Sequence, residues 1–153
     1  SGMICTGAGL GILIPSINDL IYSEEKDRYA TLGMPIHLLR AEKDYYLWGF
    51  THTNDIEKGV SIIISDLEKY GFVFLDRFPD SESVFQSVLS GNILKDFMAS
   101  IDTKNALWVA FTFIKSGKNE ALALGEKLMH QYLGKLPKTY RELDKVIYKI
   151  KTI

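Results

Sequence analysis

Apolar residues recur every three or four positions along much of the chain, which is the spacing of helices that bury one face. Ser16 with Asp19 three residues later predicts a capping box at the start of the first such segment. Asn54 with Glu57 predicts the start of another, and Gly71 predicts its left-handed end. The pattern predicts helices over about residues 16–28, 54–70, 81–91 and 139–150.

Two segments break the helical spacing and predict strands. Between about residues 29 and 52, two largely apolar runs, residues 36–39 and the aromatic-rich residues 45–51, flank a polar turn at residues 42–44. Two such runs around a short turn predict an antiparallel hairpin. Residues 72–75, Phe-Val-Phe-Leu, are too few for a helix and too apolar for a loop, so they predict a further strand.

The apolar run at residues 106–114 fits a buried strand or a buried helix by its periodicity alone. Gly117 follows it directly, and a second amphipathic stretch begins at Asn119, so we expect two helices joined by a short turn. The predicted fold class is α+β: a small antiparallel sheet, made of the hairpin plus one or two further strands, packed against several helices, with a helical C-terminal part. No linker or repeat divides residues 3–153, so we expect one domain, with residues 1–2 as a tag remnant.

Composition narrows the classes of function. The chain has 153 residues, 46% of them hydrophobic, and a net charge of −1, so nucleic acid is not an expected partner. Residues 3–17 are apolar but too few to span a bilayer, so no membrane association is expected. The single cysteine, Cys5, excludes an internal disulfide and favours a reducing, cytoplasmic setting.

No motif predicts a catalytic, cofactor-binding or metal-binding residue. The pair Gly117 and Lys118 lacks the remaining glycine and the hydroxyl residue of a phosphate-binding loop. His37, His52 and His130 are scattered, without the spacing that places two metal ligands on one helical face. The sequence therefore favours a protein that is not an enzyme. A pocket between sheet and helices remains an alternative, because active sites built from distant residues leave no motif.

The aromatic run within the predicted hairpin has two interpretations. On a strand, Tyr46, Trp48 and Phe50 share one face, and Tyr45, Leu47 and Gly49 share the other. Because neither face is polar, the sheet is either covered on both sides or presents one face to a partner. Large rigid aromatic side chains are well suited to the second role.

Charge is also unevenly distributed. Residues 55–82 hold seven acids and three bases, whereas residues 135–151 hold six bases and two acids. These stretches are either solvated helix faces or the two poles of a molecule that attracts a charged partner. His52 lies near Asp55 and Glu57 at the junction of hairpin and helix. The predicted partner-binding surface comprises Tyr46, Trp48, Phe50, His52, Asp55 and Glu57.

Several short motifs resemble a family layout. They are Trp48-Gly49-Phe50 on a hairpin strand, a helix that closes on residues 70–75, a helix from Ser81, and a helix pair around Gly117 and Ala121. Their order over residues 31–133 resembles uncharacterised bacterial α+β domains, some of the polymorphic-toxin immunity kind. The resemblance implies binding rather than catalysis and assigns no functional residue.

The leading hypothesis is therefore a non-catalytic protein-binding module, such as a bacterial immunity or regulatory protein. It would use the aromatic hairpin face and the acidic helix to bind another protein, such as a toxin or effector. A secretion-effector chaperone, which would act as a homodimer, is an alternative of the same class. A small-molecule-binding or enzymatic domain is the alternative from another class.

Overall fold

The computed structural model describes residues 4–6, 9–22, 30–40, 48–50, 53–91, 99–132 and 141–153. The fold is α+β, as predicted, with short antiparallel strands and a helical C-terminal part. In chain order the elements are β1 (Ile4–Thr6), β2 (Gly9–Ile12), α1 (Pro15–Ile21), β3 (Leu32–Pro35), a 3-10 turn (Ile36–Leu39), β4 (Trp48–Phe50), α2 (Thr53–Asp66), a π-turn (Leu67–Gly71), α3 (Phe72–Leu75), α4 (Ser81–Leu89), α5 (Ile101–Ser116), α6 (Lys118–Tyr132) and α7 (Arg141–Thr152).

Helix α5 forms the centre of the core and contacts α1, α4, α6 and α7. The hydroxyl of Ser100 begins the helix by accepting a hydrogen bond from the backbone N–H of Thr103, at 3.1 Å. The apolar run that periodicity left ambiguous lies here and is helical. Its fully buried members are Ala106, Leu107, Val109, Ala110 and Phe111. A helix that is apolar on most sides needs neighbours on most sides, and α5 has them.

Gly117 ends α5, as predicted, and α6 begins at the next residue. Its φ of 98° lies in a region that side-chain-bearing residues rarely adopt, so glycine allows the abrupt reversal between the two helices. Ala121 and Leu128 then pack α6 back into the core. The predicted helix pair is therefore confirmed.

Helix α7 completes the core with an apolar stripe made of Leu143, Val146, Ile147 and Ile150, all buried. Its first turn is capped from a distant part of the chain. The carboxylate of Asp102 in α5 accepts hydrogen bonds from the backbone N–H groups of Glu142 and Leu143, at 2.8 and 3.1 Å. Asp102 is itself buried and thus joins the two helices at their ends. The predicted start of this helix, at about residue 139, lies outside the described residues.

The predicted capping box of α1 is wrong. Pro15 occupies the first helical turn, Ile14 stands at the cap position, and no side chain of the helix caps it. Thr31 satisfies this end instead: its hydroxyl accepts from Ile14 N at 2.7 Å and donates to Asn18 Oδ1 at 2.6 Å. The helix ends at Ile21, and the remainder of the predicted range lies largely outside the described residues.

Helix α4 starts and stops as predicted. The Asp80 side chain accepts from Ser83 N at 2.8 Å, and the Ser83 side chain lies against the Asp80 backbone in a reciprocal box. Phe85 packs edge-on against Phe111 of α5, with ring centroids 4.9 Å apart. Gly91, with φ of 74°, follows the helix end.

The predicted hairpin is wrong in its pairing. Residues 36–39 form a 3-10 turn rather than a strand, and the strand before them, β3, pairs antiparallel with β2. The predicted strand at 45–51 is present as β4, but it pairs with β1, with Trp48 opposite Thr6 and Phe50 opposite Ile4. The four described strands thus form two separate two-stranded antiparallel sheets. In each sheet, one strand, β1 or β2, comes from the first twelve residues.

The predicted strand at Phe72–Leu75 is also wrong, because the helix does not end at Gly71. Gly71 has an ordinary right-handed helical φ of −69°, and the chain continues through the π-turn into α3. At Gly71 the neighbouring side chains come close: an added Cβ would lie 2.8 Å from Leu67 Cδ1 and 3.1 Å from Leu10 Cδ1, so these leucine side chains would have to shift. The helix therefore packs closely against β2 at this point.

Candidate protein-binding surface

Helix α2 carries more apolar residues than one face can hold. Ile62, Ile63 and Ile64 are consecutive, and successive helical residues lie about 100° apart. Ile62 and Ile64 consequently lie about 160° apart around the axis. Whichever side of α2 packs on the fold, some isoleucines must point elsewhere.

One side of α2 packs on the protein. Gly59 is buried, Ile63 is half-buried, and Asp66 retains only 7% exposure. Arg40, directly after the 3-10 turn, donates from Nε to Asp66 Oδ2 at 3.1 Å and also pairs with it through Nη2. This charge pair joins the end of α2 to the segment that follows β3. It also explains how an acid can be buried there.

A second side of α2 exposes apolar residues in a regular row. Ile56, Val60 and Ile64 follow one another every fourth residue and are 48%, 45% and 49% exposed. Residues at this spacing lie above one another along the axis. Half-exposed isoleucine and valine side chains in one row are unlike the scattered single apolar residues of ordinary surfaces.

The π-turn extends this row by one aromatic residue. Phe72 N–H donates to the carbonyl of Leu67, five residues back, which adds one residue to the turn. Residues after the turn are therefore set back by about 100° around the axis. This places Phe72, which is 49% exposed, about 20° from Ile64 around the axis, where an unbroken α-helix would place it about 80° away. We name Ile56, Val60, Ile64 and Phe72 the α2 ridge.

One flank of the α2 ridge is acidic. Glu57 and Glu68 lie 11 residues apart, about three helical turns, and are exposed. Asp76 follows 19 residues after Glu57, which becomes about five turns once the extra residue of the π-turn is subtracted. We name Glu57, Glu68 and Asp76 the acidic edge. The lysines of this segment, Lys58 and Lys69, lie on the far side of the helix from the ridge.

The predicted surface residues are divided between these places. Glu57 belongs to the acidic edge, whereas Asp55 is half-buried and lies on another side of α2. The backbone of β4, which carries Trp48 and Phe50, packs beside α2, but these two side chains are outside the described part. Tyr46 and His52 lie outside the described residues altogether. The backbone thus places β4 and the acidic helix next to one another.

The ridge residues themselves were not among the predicted surface residues. The helical spacing of Ile56, Val60, Ile63, Ile64 and Leu67 indicated a single core face. Only Ile63 and Leu67 are half-buried, and the others are exposed. The consecutive isoleucines at 62–64 are the signal that an apolar arc wider than one face was present.

Other kinds of site find little support among the described residues. No three His, Cys, Asp or Glu side chains in that part of the chain converge on a point where a metal ion could be held. His37 is buried in the 3-10 turn and His130 is exposed on α6, so the two lie on separate elements. None of the described helices is both long enough and apolar enough to cross a membrane.

Comparisons with known proteins add no further information on function. No protein-family model, curated protein or solved structure matches the chain. The resemblance to bacterial immunity domains therefore stays a prediction.

Proposed function

We propose that this chain is a non-catalytic protein-binding module, of the bacterial immunity or regulatory kind, whose contact surface is centred on the α2 ridge. The observation that carries the proposal is the exposure of Ile56, Val60, Ile64 and Phe72 in one row. A row of this kind, with three apolar residues on successive turns and an aromatic residue about two turns further on, is typical of a surface that a partner covers. The neighbouring strand β4 would extend the contact surface.

The energetics of the ridge suit association. Burying an isoleucine or phenylalanine side chain from full exposure is worth about 1.5–3 kcal/mol. Each ridge residue is already about half covered by the protein itself, so a partner would gain roughly half of that at each position. The sum is enough to make the row a hot spot, although association itself has a large entropic cost.

The shape of the surface favours a macromolecule over a small ligand. Small-molecule sites are concave and enclose most of the ligand surface. The α2 ridge lies along the convex side of a helix, where a small molecule would remain largely solvated. A protein partner can instead cover the row along its whole length.

The proposal is tested by a substitution on the ridge with a matched control. Val60→Asp places a charge in the middle of the row, and Ser65→Asp places the same charge on an exposed, off-ridge position of the same helix. In quantitative affinity purification from the source cells, we expect one stoichiometric protein to be retained by wild type and by Ser65→Asp. We expect Val60→Asp to lose it.

Thermal unfolding of all three proteins accompanies this experiment. Val60 is exposed, so we expect Val60→Asp to unfold within a few degrees of wild type. A protein that binds equally well with and without the Val60→Asp change would contradict the proposed surface. So would a large loss of stability, because it would mean that the row is part of the core.

A further inference from the structure

We propose that the partner presents a basic amphipathic helix to the α2 ridge. This inference rests on the proposed function and names the chemistry of its partner. The spacing of the ridge, the acidic edge beside it and the pairing that a second copy of this chain would require all favour such a helix.

The ridge has the length and the residue spacing of one helix in a packed pair of helices. From Ile56 to Phe72 it covers about 15 helical steps once the π-turn is allowed for, or about 23 Å. Ile56, Val60 and Ile64 are four residues apart, which is the spacing of a row that packs into the groove of a second helix, and Phe72 lies about two turns further on. A partner helix of about four turns, with apolar residues at the same spacing, would match the row end to end.

The acidic edge determines the charge of that partner. Asp66 is paired with Arg40, and Glu82 is paired with Lys115 of α5. In the described part of the chain, Glu57, Glu68 and Asp76 form no ion pair. Three carboxylates along one flank of an apolar row are complementary to Lys or Arg residues that flank the apolar stripe of a partner helix.

The same charges disfavour a second copy of this chain as the occupant. A symmetric dimer of two antiparallel ridges would place each acidic edge against its counterpart, and like charges brought together are repulsive. A parallel dimer would place each acidic edge against the other flank of the ridge. That flank carries Gly59 and Ile63 and is packed on the fold. An anionic membrane surface would be repelled in the same way.

The test uses displayed peptides as the probe. Random peptides of about 16 residues, long enough for about four helical turns, are selected on the immobilised full chain. We expect the selected peptides to carry a net positive charge and apolar residues at helical spacing. Circular dichroism is expected to show that they become helical on binding. Their binding should weaken at least about tenfold in Val60→Asp and remain unchanged in Ser65→Asp.

A charge-reversal pair tests the acidic edge. The double variant Glu57→Lys/Glu68→Lys should weaken the selected peptides about tenfold and make the remaining binding less sensitive to salt. The control, Glu120→Lys/Glu126→Lys, changes the net charge equally at exposed positions of α6 and should have little effect. Equal losses in both double variants would mean that only net charge matters, which would overturn the inference.

The outcomes separate this inference from the proposed function. Selected peptides that depend on Val60 but are acidic, neutral or extended would overturn the basic helix and leave the binding surface intact. Peptides that bind Val60→Asp as tightly as wild type would contradict both the proposed function and this inference. Ridge-dependent self-association in sedimentation equilibrium would overturn the inference in favour of a second copy. Ridge-dependent binding to vesicles of phosphatidylcholine and phosphatidylglycerol would overturn it in favour of a membrane.

Discussion

Helices α2 and α7 have the same pattern of apolar residues but differ in how far the protein buries them. Both place isoleucine and valine residues at spacings of three and four. In α7 these residues are buried between α5, α6 and α1, and Ile150 is completely inaccessible. In α2 the row of Ile56, Val60 and Ile64 remains about half exposed. Periodicity defines an apolar face, but only the rest of the fold, or a partner, decides what covers it.

The difference also extends to the polar residues at the ends and flanks of each helix. In α7 the first turn is closed by the buried carboxylate of Asp102, so its charge is used inside the protein. Along α2, Asp66 is used in this way, while the acidic edge faces solvent. In α7, therefore, both the apolar stripe and the first turn find their partners within the chain, whereas the α2 side offers both apolar area and charge to another molecule.

The largest expected effect comes from a matched truncation in the two helices. Ile150→Ala should lower the free energy of unfolding by about 2–5 kcal/mol, because it removes a buried side chain and leaves a cavity. Ile64→Ala should lower it by less than about 1 kcal/mol, because Ile64 is 49% exposed. Chemical denaturation monitored by circular dichroism measures both. Similar losses for the two variants would show that the α2 ridge belongs to the core.

Much of the helical core could be predicted from the sequence, because its signals are local. Gly117 ends α5 because glycine readily adopts the positive φ that the reversal of the chain requires. Asp80 and Ser83 cap α4 within a single turn. Several features that could not be predicted join residues that are far apart in sequence. The strand at 48–50 pairs with residues 4–6, and α7 is capped from 40 residues away. No local pattern contains such information.

The candidate site was predicted only in part for a related reason. The acidic character of the 54–70 helix was visible, and Glu57 lies on the flank of the ridge. The exposure of Ile56, Val60 and Ile64 was not visible, because apolar periodicity is the same for a core face and for an interface. The continuation of the row to Phe72 depends on the π-turn, and residues 67–71 also fit an ordinary helix.

A smaller effect is expected from the cap that joins α5 to α7. Asp102→Ala leaves the N–H groups of Glu142 and Leu143 without their acceptors in a largely buried place. We expect a loss of about 1–3 kcal/mol in the free energy of unfolding. Asp80→Ala removes an exposed cap of α4 and should cost about 1 kcal/mol. If Asp80→Ala were the more destabilising change, the burial of the Asp102 cap would not matter.

The smallest expected effect concerns the charge pair between α4 and α5. Hydrogen bonds from Lys115 and Gln86 hold the pKa of the Glu82 carboxyl below its ordinary value. A carboxyl whose pKa is lower in the folded protein than in the unfolded chain stabilises the fold above the unfolded pKa, and it loses that contribution as the pH falls through the folded value. Wild type should therefore exceed Glu82→Gln slightly in stability at neutral pH, and the gap should close under acidic conditions.

Glu68→Gln provides the control for this pH dependence, because it removes an exposed carboxylate of the acidic edge that has no ion pair in the described part of the chain. Urea unfolding at a series of pH values should show a pH-dependent gap to wild type for Glu82→Gln. The same gap in both variants would mean that the carboxylates act through the general charge of the protein. A gap confined to Glu82→Gln would show that the ion pair between Glu82 and Lys115 stabilises the fold, whereas the Glu68 carboxylate of the acidic edge does not.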